Sequence, residues 1–285
     1  MIGGIAKSLI IIYEYILLST CQNTSKVRAY SAITAFASPR YVLQFLVSPQ
    51  AKTCFHLGRA TEFQTLSRSV TTFILIPMVI TYHGLQFFKI QQGDTVIAFN
   101  PVSKSADAKT TRFGADIALL TLNHPDFNGV ENLSYGDKKP FVVSGGGEYE
   151  TKEIFIRGFG LWTDYGGERK VNTVYYLIVD GIKILFLGAT KALTMTEDME
   201  EKIDGVDVLF VPVGGGDVCS PGEAHKLALF FEPKMIIPMQ YSPQSLKTFL
   251  HEAGEEGADA SEKLVLKQKD MEEKKGVEVA VLKAV

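Results

Sequence analysis

The sequence predicts an α/β sandwich, in which two groups of β-strands pack face to face and helices cover the outside. Short apolar segments separated by turn residues begin at Met78, as expected of consecutive strands. Residues 115–121 are mostly apolar with no polar face, which is typical of a strand buried between layers. Helical patterns are concentrated in the second half of the chain, and no repeat of 20–50 residues suggests a solenoid or propeller.

The charge distribution predicts a boundary near Pro77. Residues 1–77 contain seven Lys and Arg against two Glu, a net charge of +5, so the remainder of this −3 chain carries −8. We therefore expect an N-terminal extension over 1–77 and one folded domain over 78–285.

The extension has several interpretations. Its apolar run over 9–20 is interrupted by Glu14 and is too short for a transmembrane helix, while the acid-poor stretch 22–72 has the composition of a transit peptide. We favour a poorly packed, dispensable or spurious extension with a helix over 4–20. A targeting segment or a membrane-associating module is the alternative.

The predicted strands follow one another from Met78, with hairpin turns at Gly93-Asp94 and Asp180-Gly181. They cover 79–83, 87–91, 95–99, 115–121, 140–144, 149–151, 154–157, 161–163, 172–179, 182–187, 206–212, 235–239 and 277–282, the last as an edge strand.

Three helices are predicted, over 195–202, 221–231 and 242–253. Pro221 suits a first helical turn, and Glu223 lies beside the positive end of the same helix dipole. Ser242 or Ser245 is expected to cap the third helix. Residues 254–275 are acidic and lysine-rich and are predicted to be surface without a strand.

Composition excludes several classes of function. A hydrophobic content of 46% with 21% charged residues describes a globular protein, and a net charge of −3 argues against nucleic-acid binding. Cys21, Cys54 and Cys219 form no metal-binding spacing, and three widely separated cysteines favour reduced thiols in the cytoplasm.

The loop after the buried strand carries the most informative motif. Residues 121–129 read Thr-Leu-Asn-His-Pro-Asp-Phe-Asn-Gly, which resembles the metal loop Thr-His-x-His-x-Asp-His-x-Gly of the metallo-β-lactamase superfamily. Weaker similarities occur before and after this loop, in the order in which they occur in that family. They are Ile80-Thr81-Tyr82-His83-Gly84, Phe99-Asn100-Pro101, Gly147-Glu148-Tyr149-Glu150, Asn172-Thr173, Leu187-Gly188 and Ile237-Pro238-Met239-Gln240-Tyr241.

The resemblance covers 78–285 and is greatest to L-ascorbate-6-phosphate lactonase-like proteins and related zinc-dependent hydrolases. It implies a four-layer αββα sandwich with one or two metals held on loops at its edge. Of the family's seven ligand positions, two hold residues that can bind a metal, His124 and Asp126. The other five positions hold Leu122, Phe127, Thr163, Ala189 and Gln240.

We therefore expect a degenerate member of the family that lacks the dinuclear zinc site, needs no cofactor, and works by binding a small molecule or a protein. Zinc requires three or four N, O or S ligands, and two side chains cannot close such a site. Structurally, His124 and Asp126 also suit a turn, because Asp and Asn side chains bond nearby backbone groups and Pro125 fixes the bend. The oligomeric state is left open.

The alternative is a metal-dependent hydrolase of a phosphoester, lactone or other ester, with zinc or manganese in a rebuilt site. Substitute ligands would come from a small set of residues near the loop in sequence. That set is His83, Asp164, Asp217, Cys219, Glu223 and His225. The glycine runs at 145–147 and 214–216 lack the spacing of phosphate-binding loops.

Overall fold

The computed structural model describes residues 76–192 and 194–285, and this part of the chain contains two β-sheets. The first sheet has six strands in the order β12-β1-β2-β3-β4-β5. Their bounds are Met78–Tyr82 (β1), Phe88–Gln92 (β2), Thr95–Phe99 (β3), Ile117–Leu119 (β4), Phe141–Val143 (β5) and Lys263–Leu266 (β12).

The second sheet has seven strands in the order β13-β11-β10-β9-β8-β7-β6. Their bounds are Gly147–Thr151 (β6), Ile154–Tyr165 (β7), Glu168–Val179 (β8), Ile182–Phe186 (β9), Val208–Pro212 (β10), Met235–Met239 (β11) and Glu278–Val279 (β13). The helices are Glu197–Lys202 (α1), Pro221–Phe231 (α2), Pro243–Ala253 (α3) and Gln268–Glu273 (α4), and Val130–Asn132 forms a 3-10 turn.

The main core lies between the two sheets. Alternate residues of β1 are buried, as expected of a strand with one face on a core. Phe99 of the first sheet stacks on Phe186 of the second with ring centroids 4.4 Å apart, and Phe210 packs beside them. Aromatic contacts of this kind join the sheets into a sandwich.

The outer layers differ in thickness. Residues of α2 and α3, including Ala224 and Phe249, are buried with the outer face of the seven-stranded sheet. The opposite face of the six-stranded sheet is covered by loop residues such as Val102 and Leu133, next to the 3-10 turn. The layers thus follow the predicted sandwich, but the outer layer on the first sheet is thin.

Local signals fix the helix ends. Ser220 and Ser242 both cap helices through capping boxes, and proline follows each of them in the first turn. Glu223 and Ser245 are the reciprocal partners in these boxes. These helices begin where the sequence predicts because the signal lies within four residues.

One predicted division is wrong. The separate strands predicted at 154–157 and 161–163 are one continuous strand, β7, because Gly158 and Gly160 pair with β8 instead of breaking the strand. Residues 254–275 are mostly exposed, as predicted, but they also contain α4 and the unpredicted strand β12, which pairs antiparallel with β1. Leu266 and Met271 are the residues of this segment that are buried in the core.

The predictions for 1–75 lie outside the described residues, and the boundary at Pro77 stays a prediction. The described residues belong to one compact unit, Ile76–Val285. Within that unit, no helix is long and apolar enough to cross a lipid bilayer.

Candidate functional site

The seven positions aligned with the family's ligands converge at one rim of the sandwich. The loop after β4 supplies Leu122, His124, Asp126 and Phe127, β7 supplies Thr163, and the loops after β9 and β11 supply Ala189 and Gln240. The Thr163 hydroxyl donates a hydrogen bond to the Ala189 carbonyl at 2.9 Å, which joins two of these segments directly.

His124 and Asp126 lie side by side on the loop. The backbone N–H of Asp126 donates to His124 Nδ1 at 3.2 Å, and Nδ1 lies 3.4 Å from Asp126 Oδ2. Because Nδ1 accepts this hydrogen bond, the proton of a neutral ring is assigned to Nε2. Both side chains are about one-quarter exposed, at 26% and 24%. The turn is therefore stabilised by the His124 ring, and not by an Asp or Asn side chain that accepts a backbone N–H as expected.

An apolar cluster occupies the centre of the rim. Leu122, Phe127, Tyr165, Ala189 and Val218 are buried together, and Phe127 and Ala189 are completely inaccessible. The Phe127 and Tyr165 rings lie 5.0 Å apart. Three of the family's seven ligand positions, Leu122 and Phe127 in the loop and Ala189 after β9, here contribute packed carbon atoms.

Tyr165 connects Asp126 to Gln240. Its hydroxyl donates to Asp126 Oδ2 at 2.9 Å and accepts from Gln240 Nε2 at 3.2 Å. Burial, followed by the charge of Asp126, raises the pKa of the Tyr165 hydroxyl. The hydroxyl therefore stays protonated and occupies a lone pair of the Asp126 carboxylate.

A buried amide network holds Gln240 in place. Gln86 Nε2 donates to Gln240 Oε1 at 2.6 Å and to the Gly188 carbonyl at 3.1 Å. Gln86 Oε1 in turn accepts from Asn100 Nδ2 at 3.0 Å, and Asn100 also bonds Thr121. The oxygen and the nitrogen of the Gln240 amide thus both form hydrogen bonds within the protein.

Asn172 organises the turn that carries Ala189. Its Oδ1 accepts from the Ala189 N–H at 2.9 Å, and its Nδ2 donates to the Leu187 carbonyl at 2.9 Å. Gly188 between them has a φ of +63°, and a Cβ there would lie 2.4 Å from Asn172 Oδ1. A glycine is required at this position both by its conformation and by its close contact with Asn172.

The candidate substitute ligands do not join His124 and Asp126. Among the described residues, no three His, Cys, Asp or Glu side chains converge as a metal site would require. The Asp217 carboxylate accepts the Gly166 N–H at 3.1 Å, and Glu223 closes the capping box of α2. Cys219 is buried, and burial raises the pKa of its thiol to about 12, away from the thiolate that binds metals.

The donor set therefore does not fit a dinuclear metal centre. Seven positions would need to present N or O lone pairs, but the three carbon side chains have none and the Gln240 amide is occupied by Gln86 and Tyr165. The loop motif identifies Leu122 and Phe127 as residues at ligand positions. It does not identify Tyr165 or Gln86 as residues of the site. Alternation along β7 could have indicated Tyr165, because it lies on the same strand face as Thr163.

Comparison with known proteins identifies the family. The profile of the beta-lactamase superfamily domain matches residues 79–240. A metal-dependent hydrolase of Lysinibacillus sphaericus is 24% identical over 197 residues, covering 58% of this chain and 86% of that protein. A metal-dependent hydrolase of Thermococcus onnurineus is 26% identical over 172 residues, covering 52% of this chain and 75% of that protein.

Solved structures show the same fold. A proposed zinc-dependent hydrolase of the metallo-β-lactamase superfamily from Thermotoga maritima matches with a TM-score of 0.56 and 24% identity, covering 72% of this chain and all (100%) of that one. A proposed metal-dependent hydrolase from Parabacteroides distasonis matches with a TM-score of 0.51 and 19% identity, covering 72% and 94%. The predicted sandwich is confirmed, whereas the lactonase-like branch stays a prediction. The chain belongs to the beta-lactamase superfamily.

Proposed function

We propose that this chain is a degenerate metallo-β-lactamase-fold protein that binds a ligand at the rim of its sandwich without the family's dinuclear metal chemistry. The apolar cluster of Leu122, Phe127, Ala189 and Val218 carries the proposal. Hydrolysis in this fold relies on a metal to lower the pKa of a bound water and polarise the bond under attack. Carbon side chains cannot hold that metal.

Packing strengthens this interpretation. A position that had merely lost a ligand would leave space, but Phe127 is completely buried and contacts Tyr165. The Tyr165 hydroxyl also takes one lone pair of Asp126. Both features stabilise a packed loop instead of an open metal-binding site.

The second candidate is a metal-dependent hydrolase of a phosphoester, lactone or other ester, with a reduced zinc or manganese site. The relatives are named metal-dependent hydrolases, and His124 and Asp126 are adjacent and partly exposed. Taken alone, the comparisons favour this second candidate over the first. The side chains at the rim favour the first.

Metal analysis of the purified protein separates the two. We expect well below one equivalent of zinc or manganese after exposure to each ion and gel filtration, and no ester or phosphoester hydrolysis dependent on either ion. About one equivalent that is lost in His124→Ala, but kept in the control His251→Ala on α3, would contradict the first candidate and support the second.

The remaining proposals concern partners and location. We propose a small molecule or a protein as the ligand, no nucleic acid, and a cytoplasmic location, because the net charge is −3 and the cysteines suit reduced thiols. Residues 1–77 are proposed to be dispensable. Protein expressed from Met78 should keep the solubility and location of the full chain, and a changed location would instead support a targeting or membrane role.

A further inference from the structure

A cleft of about 720 Å³ borders the central loop. Its lining includes Leu122 and Asn123 of the loop, Trp162 and Arg169 of the β7–β8 hairpin, and Ser144 after β5. A volume of this size is typical of pockets that take small organic molecules.

The charged side chains that line the cleft are both basic. They are Arg169 and Lys170 at the start of β8, and no acidic side chain of the described residues lines it. Arg169 is exposed, while the Lys170 ammonium forms an ion pair with the exposed carboxylate of Glu168. Alternation along β8 puts Arg169 and Lys170 on opposite faces of the strand, and Asp164 is the cross-strand neighbour of Arg169. Within the described residues Arg169 forms no ion pair, so it is the cation that this cleft offers to a ligand.

Trp162 adds a flat apolar surface beside these charges. Its side chain is 66% exposed, and the Arg169 guanidinium lies 4.9 Å from the centre of its ring system. Register across the hairpin pairs Trp162 with Val171 and Asp164 with Arg169, which places Trp162, Val171 and Arg169 on one face. A large aromatic surface next to a cation is exposed here although burying it would be favourable.

We propose that this cleft binds a small organic anion that carries a ring, with Arg169 holding its phosphate or carboxylate and Trp162 stacking on the ring. The proposal rests on the proposed function, because it assigns to a side chain the positive charge that a metal supplies in a metallohydrolase. Arginine suits this role because its planar guanidinium can hold two anion oxygens at once. Asn123 and Ser144 offer further polar groups.

The protein contains a single tryptophan, so its fluorescence reports on this cleft directly. We would titrate the full chain with phenyl phosphate, inorganic phosphate and benzyl alcohol, exciting at the red edge of the tryptophan absorption. We expect a saturable change with phenyl phosphate, competition by inorganic phosphate, no saturable change with benzyl alcohol, and weaker binding at higher salt. Arg169→Gln should weaken phenyl phosphate binding about tenfold or more.

Lys226→Gln, an exposed cation on α2, is the matched control and should bind as the wild type does. The inference is overturned if phenyl phosphate gives no saturable change up to about 10 mM, or if Arg169→Gln binds it as tightly as the control. All titrations are repeated with EDTA. If EDTA abolishes binding, both this inference and the metal-free proposed function are refuted. If the protein contains no metal and does not bind phenyl phosphate, this inference is refuted and the proposed function is not.

Discussion

His83, immediately after β1, is a half-buried histidine whose two ring nitrogens are inaccessible to solvent and lack a hydrogen-bond partner within the described residues. Its ring lies 4.9 Å from that of Phe87 and 5.3 Å from that of Phe113. Burial, followed by the charges of Lys89 and Lys109, lowers the pKa of His83 from 6.5 to about 4. The folded domain therefore holds this ring neutral at pH values where the unfolded chain protonates it.

This shift predicts an acid sensitivity of known sign. Between pH 6.5 and about 4 the unfolded state binds one more proton than the folded state at this group, so stability falls as the pH falls through that window. The full change in pKa corresponds to at most about 3 kcal/mol. The ring is not fully buried, and solvent screening reduces the expected loss to about 1–2 kcal/mol.

Urea unfolding of the wild type and of His83→Phe at about pH 7 and about pH 4.5 tests this reasoning. The variant should lose about 1–2 kcal/mol less than the wild type between the two pH values, and contributions from other titrating groups cancel in the difference. It should also be more stable at pH 7, because a buried donor without a partner is removed. Equal losses in both proteins would refute the assigned burial of the His83 ring.

Three further predictions concern stability, each measured by urea unfolding at pH 7. Phe127→Ala should cost about 3–4 kcal/mol by opening a cavity in the apolar cluster, and a cost below about 1 kcal/mol would contradict its packing. Gly188→Ala should cost more than about 2 kcal/mol because its Cβ would lie 2.4 Å from Asn172 Oδ1, and Asn172→Ala should relieve part of that clash. Asp116→Asn should cost about 1–2 kcal/mol, since the buried carboxylate pairs with Lys138 at 2.7 Å. Burial alone would raise the pKa of Asp116, but the hydrogen bond from Lys138 contributes to a net lowering. The stability that the ionised carboxylate provides is therefore lost as the pH falls through the lowered pKa. Asp116→Asn should not show this loss, because it has no carboxylate to protonate.

The parts of the fold that the sequence predicts well are those with local causes. The helix that starts at Pro221 carries its proline, its serine cap and its reciprocal glutamate within four residues, and β3 is bounded by a turn glycine and by Asn100-Pro101. In β12, by contrast, burial alternates but the sequence does not, because the exposed Val265 lies between Leu264 and the buried Leu266. Its pairing with β1 joins residues far apart in the chain, which no local pattern can indicate.

The residues of the candidate site likewise fall into those that a local motif predicts and those that depend on contacts between distant segments. A loop motif with fixed spacing places Leu122 and Phe127 at ligand positions from sequence alone. The polar network does not follow from any motif, because Tyr165 and Gln240 are 75 residues apart and Gln86 and Gln240 are 154 apart. Such contacts arise only when the two sheets have assembled. The motif therefore predicts which donors are missing but not what fills the space.

The replacements at the rim depend on one another physically, and this dependence explains why they occur together. A histidine restored at Phe127 alone would enter an apolar cluster with Leu122 and Ala189, where its ring nitrogens would lose water without gaining partners. Restoring one donor therefore destabilises the protein without binding a metal, which requires at least three ligands. Each apolar residue stabilises the next, so the packed state resists reversal one residue at a time. The neighbouring cleft shares Leu122 with the cluster, but its Arg169 and Trp162 side chains are exposed and lie outside the cluster, so a change at either leaves the packed residues in place.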